Sequence, residues 1–349
     1  MPNAASALQP SELVLDRYRP LRPLGTGGSG SVWLVRDEQT GLDLALKIVP
    51  REGKAAARAE REAAAAAKLR HPSCIRAYAF ARDSRHVYIA YEYVAGRTFR
   101  EAMRAGGLDD ATAIEAGAQI CEGLAHAHGA GVLHRDVKPS NVLLAESDRV
   151  SVRLLDFGLA RMQEAETLTA QGDVPGTLAY ISPERLAGEP ATEAADVWAV
   201  GVMLWEALAG RHPFWSTGLL ETARAIEGGA PPLRELRPDL PKPLLAVIDG
   251  ALALDPRRRP SALELADALR TASVPRRHKR KQRSLPTPHV PGALVHKRFE
   301  RAVAPALAAL FAGWTAYALP FFPSAWWAGL AALAGAVAFF RERLGLALA

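Results

Sequence analysis

Cysteine is almost missing from this chain: two residues in 349, Cys74 and Cys121. Two thiols build neither a disulfide framework nor a four-ligand zinc site. They suit a reducing compartment and read as small buried hydrophobes. Residues Met1 to Pro10 lack both a basic start and an apolar run, so a cleaved secretory signal is not expected. No repeat of fixed period runs through residues 18–271, and charge is absent altogether from 302 to 340. Apolar residues, by contrast, make up 49% of the chain against 23% charged, which excludes wholesale disorder and a collagen-like fibre. The length is that of about two domains. A formal net charge of +6 suggests a nucleic-acid binder only until it is located. Residues 275–301 hold nine Lys/Arg against one acid, Glu300, and the first 274 residues carry a net −3.

Strand-like sequence dominates from Val14 to Val94, in Ser31–Arg36, Leu44–Val49 and Val87–Tyr93, all rich in β-branched and aromatic residues. An alanine-rich block, Lys54 to Leu69, interrupts it and predicts a helix. After Asp109 the periodicity turns to 3.6 residues, in Ala113–His128 and Ala195–Leu208. A small sheet-rich lobe followed by a larger helical one is the expectation.

Three motifs carry chemistry. Gly25-Thr26-Gly27-Gly28-Ser29-Gly30-Ser31-Val32 is a glycine-rich turn whose backbone can approach phosphate oxygens with no Cβ in the way. Strand-like sequence follows it, whereas a dinucleotide fingerprint requires a helix there. Lys47 stands inside the apolar strand Leu44–Val49, and Glu62 lies fifteen residues on in the alanine-rich helix. Singly they read as an edge lysine and one helix charge among several. They matter only as a pair, since a buried ammonium needs a partner, and phosphate oxygens are a better one when a carboxylate holds the lysine in place. His134-Arg135-Asp136-Val137-Lys138-Pro139-Ser140-Asn141 is followed, twenty residues after Asp136, by Asp156-Phe157-Gly158. Two acids and an amide on short loops between strand-like pieces are hard oxygen ligands of the kind Mg²⁺ takes beside substrate phosphates.

In this order and combination the motifs resemble those of the eukaryotic-type (Hanks-type) protein kinases, in particular their bacterial Ser/Thr branch. The resemblance covers residues 18–272. It implies an α+β, bilobal protein-kinase-like fold, with a small β-rich N-lobe and a larger helical C-lobe. ATP lies in the cleft with Mg²⁺, for which Mn²⁺ can substitute. It further implies that Gly25, Thr26, Gly27, Gly28, Ser29 and Gly30 cover the phosphates, and that Lys47, paired with Glu62, binds the α- and β-phosphates. Val32, Ala45 and Leu143 enclose adenine, whose edge the backbone from Glu92 to Val94 reads. Asp136 accepts the proton of the substrate hydroxyl, Lys138 sits beside the γ-phosphate, and Asn141 and Asp156 hold the metal.

Lys138 two residues after Asp136, with Gly176-Thr177 ahead of Ser182-Pro183-Glu184, matches the Ser/Thr pattern, so protein Ser/Thr hydroxyls are the expected acceptors. Thr177 orients the acceptor site in that pattern. Glu184 is expected to pair with Arg259, and Asp196 to tether the loop around Asp136. Arg135 precedes Asp136, as in kinases activated by phosphorylation between Asp156 and Glu184, and Thr167 and Thr169 are the expected autophosphorylation sites. One departure stands out. Ala66 and Ala77 occupy places where the family stacks larger apolar side chains above Phe157 and His134. Tyr91, bulky at the position guarding the back pocket, fills part of the gap. The helix carrying Glu62 is therefore expected to be loosely held. A histidine metal cluster is not expected, since His126 and His128, two apart on a helix, diverge.

Beyond a 1–17 N-terminal extension and the 18–272 domain, residues 273–301 read as a basic, proline-containing juxtamembrane linker. A straight helix over the 39 uncharged residues would be about 58 Å long, twice a ~30 Å hydrocarbon layer. Pro320 and Pro323 divide the run into Ala302–Leu319 and Ser324–Phe340. Basic residues flank both ends, which favours an even number of crossings. A two-helix transmembrane hairpin over 302–341 follows, with a short tail at 342–349 and both termini cytoplasmic at the inner membrane. A re-entrant hairpin is the alternative. The basic block suits anionic lipid headgroups, and no nucleic-acid partner is expected. Small-xxx-small spacing at Ala309/Gly313 and Ala331/Gly335 is compatible with a homodimer. The rival to an active enzyme is a membrane-tethered pseudokinase scaffold, against which the intact Lys47, Glu62, Asp136, Asn141 and Asp156 argue.

Overall fold

Alternating apolar residues between Tyr18 and Glu92 build a five-stranded antiparallel sheet in the order β1-β2-β3-β5-β4. Its strands are β1 (Tyr18–Gly27), β2 (Gly30–Asp37), β3 (Asp43–Pro50), β4 (Ala77–Arg82) and β5 (His86–Glu92). The structure, a computed structural model, describes residues 13–27, 30–51, 54–106, 108–157, 179–216 and 218–272. Among them no helix is long and apolar enough to cross a membrane. The expected spans at 302–341, the basic linker, Gly28, Ser29, Thr167, Thr169 and Thr177 all lie outside the described residues.

Register divides the sheet into two faces. Val32 lies opposite Lys47 and Leu34 opposite Ala45, while Lys47 lies opposite Ile89 and Ala45 opposite Tyr91. Trp33, Val35, Leu44, Leu46, Ile48, Tyr88 and Ala90 therefore share one face, packed with Val14 and Tyr18. Val49, Val87, Ile89 and Tyr91 share the other, against helix α1 (Lys54–Lys68). A slip of one residue would exchange the faces and put Lys47 on the wrong side. Helix α1 meets the sheet through Ala59, Ala63 and Ala66, one stripe at helical spacing.

The helical lobe begins at α2 (Phe99–Arg104) and α3 (Asp110–Gly129) and continues, past the site loops, with α4 (Pro183–Leu186) and α5 (Glu193–Ala209). Then come α6 (Leu219–Gly228), α7 (Leu233–Leu236), α8 (Lys242–Ala251) and α9 (Ala262–Thr271). Its small sheet runs β6 (Gly96–Thr98), β7 (Val142–Ala145), β8 (Val152–Leu154). Helix α5 is buried from Asp196 to Glu206 without a break, as expected of a helix apolar all round. Gly117 of α3 lets it in: a Cβ there would stand 2.7 Å from Leu204 Cδ2. The α+β, two-lobed architecture expected from the sequence is the one observed. Strand β4 was less legible, because its exposed Tyr78 and Phe80 alternate with small alanines.

A buried ion pair fastens the end of the helical lobe. Arg259 Nη1 and Nη2 donate to Glu184 Oε1 and Oε2 at 2.7 and 2.8 Å. Its other donors reach the carbonyls of Ala253, Ala194 and Leu254, and its guanidinium lies 4.9 Å from the Trp198 ring centroid. Removing one partner leaves the other charge buried alone. Arg259→Ala is expected to lower stability by about 3–5 kcal/mol in urea unfolding. A loss below about 1 kcal/mol would show that the pair does not hold this corner.

Candidate active site

Two short loops and one strand converge in the described structure. The first loop, His134 to Asn141, follows α3 and closes in a 3₁₀ turn (Pro139–Asn141) that feeds β7. The second, Leu155 to Phe157, leaves β8. Because β7 and β8 are paired, the two loops emerge side by side, and Leu155 N–H donates to the Asn141 carbonyl at 2.9 Å. Arg135 (φ 69°) and Asp156 (φ 57°) both have left-handed backbone, strain that ordinary residues adopt only where their surroundings enforce it.

The enforcement at the first loop comes from α5. Asp196 Oδ2 accepts from His134 N–H at 2.9 Å, and Oδ1 from Arg135 N–H at 2.8 Å. His128 Nε2 lies 2.9 Å from Oδ2. Burial pushes the Asp196 carboxyl up, but the His128 bond and its other partners outweigh this and hold it below the usual carboxylate range. His134 is buried with its ring 4.7 Å from that of Phe157, which locks the two loops together.

Strand β3 supplies the third component. Lys47 Nζ donates to both Glu62 oxygens at 2.8 and 2.9 Å and to Asp156 Oδ1 at 2.6 Å. The Tyr91 hydroxyl donates to Glu62 Oε1 at 2.6 Å. Lys47 and Glu62 are almost fully buried, whereas the Asp156 side chain keeps 33% of its surface. Burial pulls Lys47 down, but the two carboxylates more than reverse it and hold the ammonium above its ordinary value. Burial pushes Asp156 up, and Lys47 overcomes this, leaving it below the carboxylate range. Glu62 goes the other way. Its burial prevails over Lys47's attraction and lifts it to about 7.

Asp136 sits beneath. Lys138 Nζ lies 2.8 Å from its Oδ2, and Asn141 Nδ2 donates to its Oδ2 and to its carbonyl, both at 2.9 Å. The amide of Asn141 thus turns its NH₂ toward Asp136 and its oxygen away. Val32, Ala45, Val94 and Leu143 are each half-buried. Glu92 N–H donates to the Arg76 carbonyl, while its carboxylate takes Arg76 N–H at 3.0 Å and Arg153 Nε at 3.3 Å. Gly25, Thr26, Gly27 and Gly30 form the described part of the β1–β2 hairpin, where Thr26 pairs with Ser31 and Gly27 with Gly30. At Gly30 (φ +121°) a Cβ would stand 2.3 Å from the Ile48 carbonyl oxygen, so only glycine lets β2 start this close to β3.

Residues 18–269 match the family model of the protein kinase domain. The chain belongs to this family. Its kinase domain is 36% identical over 278 residues to serine/threonine-protein kinase pkn2 of Myxococcus xanthus, a match covering 76% of this chain and 34% of that protein. It is 33% identical over 261 residues to PrkC of Bacillus subtilis, covering 73% and 40%. The match to PknA of Mycobacterium tuberculosis is 34% over 282 residues, covering 77% and 64%. The chain therefore spans about a third of the length of the first of these relatives and two-fifths of the second.

Of the site residues read from the sequence, the kinase domain brings together Lys47, Glu62, Asp136, Lys138, Asn141 and Asp156. Glu184 and Arg259 pair, and Asp196 binds the loop, as expected from the resemblance. His126 stacks on His71 at 5.5 Å while His128 faces Asp196, so the two diverge. Both cysteines are free and buried. Among the described residues no group of three or more His, Cys, Asp or Glu is placed to hold a metal. Sequence reasoning missed the Tyr91–Glu62 bond and a second cluster. There Glu206 of α5 takes the Tyr180 hydroxyl and, at 2.9 Å, Arg100 Nη1. The one signal for that cluster was a carboxylate inside an apolar helix.

The lifted Glu62 has a consequence for stability. Between its ordinary value, 4.5, and about 7 the folded protein retains a proton that the unfolded chain has released. The contribution of Glu62 to stability is therefore full below pH 4.5, declines as pH rises to about 7, and is flat beyond. Thermal unfolding of wild type and Glu62→Gln across pH 4.5–8 checks this. The melting difference between the two is expected to shift in favour of Glu62→Gln as pH rises. A constant difference would contradict it.

Proposed function

We propose that this chain is an ATP-dependent serine/threonine protein kinase, anchored in a membrane by its C-terminal hairpin. One observation carries the reading: Lys47, Glu62 and Asp156 form a continuous ion-paired group at the cleft, with Asp136, Lys138 and Asn141 on the adjoining loop. Lys47 binds ATP phosphates and is held for this by Glu62. Lys138 offsets charge as the γ-phosphoryl group moves, and the glycine turn lies over the phosphates. Asp136 accepts the proton of a Ser or Thr hydroxyl as that oxygen bonds to phosphorus and ADP departs. These are positioning and electrostatic roles, for which buried, mutually oriented side chains are suited.

The chemistry of the donors supports a divalent cation. The partly exposed carboxylate of Asp156 and the amide oxygen of Asn141, whose NH₂ is taken up by Asp136, are two hard oxygen ligands, the number Mg²⁺ takes when phosphates and water complete its shell. Bound there, Mg²⁺ would neutralise phosphate charge. Val32, Ala45, Leu143 and the backbone from Glu92 to Val94 form the nucleoside side of the same cleft.

Acceptors are protein Ser/Thr residues, by the pattern at Lys138 and Ser182–Glu184 and by the names of the relatives. Thr167 and Thr169 are the sites of autophosphorylation in this reading. Incubation of full-length chain with radiolabelled ATP, Mg²⁺ and a generic acceptor protein tests it. Asp136→Asn is expected to reduce transfer about 10²–10⁴-fold. Mass spectrometry should find phosphate on Thr167 or Thr169 in wild type only. A variant as active as wild type would overturn the role of Asp136, and equal modification of both would assign the phosphate to another enzyme.

Localisation at the inner membrane, with the kinase domain and both termini cytoplasmic, rests on the uncharged run 302–340 and its basic flanks. The basic block at 276–283 within the linker would lie on anionic headgroups, and the small-residue spacings in the spans suit pairing with a second copy. Full-length chain is expected to stay with the membrane pellet through an alkaline carbonate wash. Its release into the supernatant would refute the anchor.

A further inference from the structure

Helix α1 carries the carboxylate on which Lys47 depends, yet its contact with the sheet is made by methyl groups. Ala59, Ala63 and Ala66 are the buried apolar residues it contributes, with Ala55 and Ala56 partly buried beside them. Such a stripe interdigitates little, so packing alone leaves the helix free to slide or turn against β5. What fixes Glu62 must then be polar. Lys47 is one such contact, but its ammonium is divided between Glu62 and Asp156, and a cation or nucleotide arriving at Asp156 changes that division.

Tyr91 is the other. Its place opposite Ala45 in the β3–β5 register puts its ring on the α1 face of the sheet, where it is 7% exposed. Its hydroxyl meets Glu62 Oε1 at 2.6 Å, against the oxygen that Lys47 holds at 2.8 Å. A neutral donor held on strand β5 by its pairing with Ala45 does not migrate to Asp156. Burial beside Glu62 also keeps the phenol far from ionising, so it remains a donor. We propose that Tyr91 is a positioning residue: its hydroxyl pins Glu62, and through it helix α1, to β5 whether or not Lys47 is engaged elsewhere. The pin stands in for the larger side chains that Ala66 and Ala77 do not supply. Its catalytic consequence rests on the kinase reading above, whereas the pin itself does not.

Tyr91→Phe keeps the ring and deletes only the hydroxyl, which separates the pin from simple packing. In nucleotide-free full-length protein, amide hydrogen exchange in residues 54–68 is expected to accelerate about fivefold or more, the effect of losing one net hydrogen bond. Exchange in α3 and α5 should not change. In phosphoryl transfer, kcat should fall by a similar factor with KM for the acceptor protein unchanged. In a Glu62→Ala background the same substitution should alter kcat and exchange less than about twofold, because the bond is already gone. Unchanged exchange in residues 54–68 overturns the proposal. So does an equal loss with and without Glu62, which would assign the hydroxyl some other partner. If wild type transfers no phosphoryl group at all, the kinase reading fails while the exchange comparison still decides the role of Tyr91.

Discussion

A lysine buried in the middle of a β-strand is tolerable only if its charge is answered nearby, and in this molecule the answer comes from two separate elements. Glu62 arrives from helix α1 and Asp156 from the turn after β8, each within 3 Å of Lys47 Nζ. An ammonium in such a place pulls its partners inward, because leaving any of the three unpaired there carries a large desolvation penalty. The sheet register, the approach of α1 and the strained turn at Asp156 are all arranged around this contact. It also joins the small sheet lobe to a loop of the helical lobe, so the cleft is defined electrostatically before any ligand enters.

The helical lobe repeats the logic with carboxylates in place of the amine. Helix α5 is apolar enough to be buried on every side, yet it carries Asp196 near its start and Glu206 near its end. Asp196 receives two backbone N–H groups from the loop that precedes Asp136, and Glu206 receives Tyr180 and Arg100. Glu184 and Arg259 add a third buried carboxylate with its partner. Each acid is a fixed point in the core to which an irregular segment is tied. A loop with left-handed backbone at Arg135 needs such a fixed point, since nothing in its local sequence favours that conformation.

Much of this was legible before any coordinates. The strands around Lys47, the alanine-rich helix with Glu62, and α3 and α5 follow from period and residue type, which are local properties. The loops around Asp136 and Asp156 were legible as motifs, by residue type and spacing. Strand β4 was harder to see, since its pattern is weak without its neighbour. Tyr91 could be read as bulk but not as a donor, because nothing in one dimension says that its hydroxyl ends 2.6 Å from an oxygen 29 residues away.

Composition and periodicity were thus enough to determine a small sheet-rich lobe followed by a larger helical one, and the motifs, through the family they resemble, named the side chains expected together. Each depends on a residue and its near neighbours in the chain. Which oxygen each donor takes was decided only by tertiary structure, as were the lift of Glu62 toward neutrality and the fixing of an alanine-faced helix by a phenol. Hydrogen bonding and desolvation act through space, over a few ångströms, and the separation of two residues along the chain does not encode that distance.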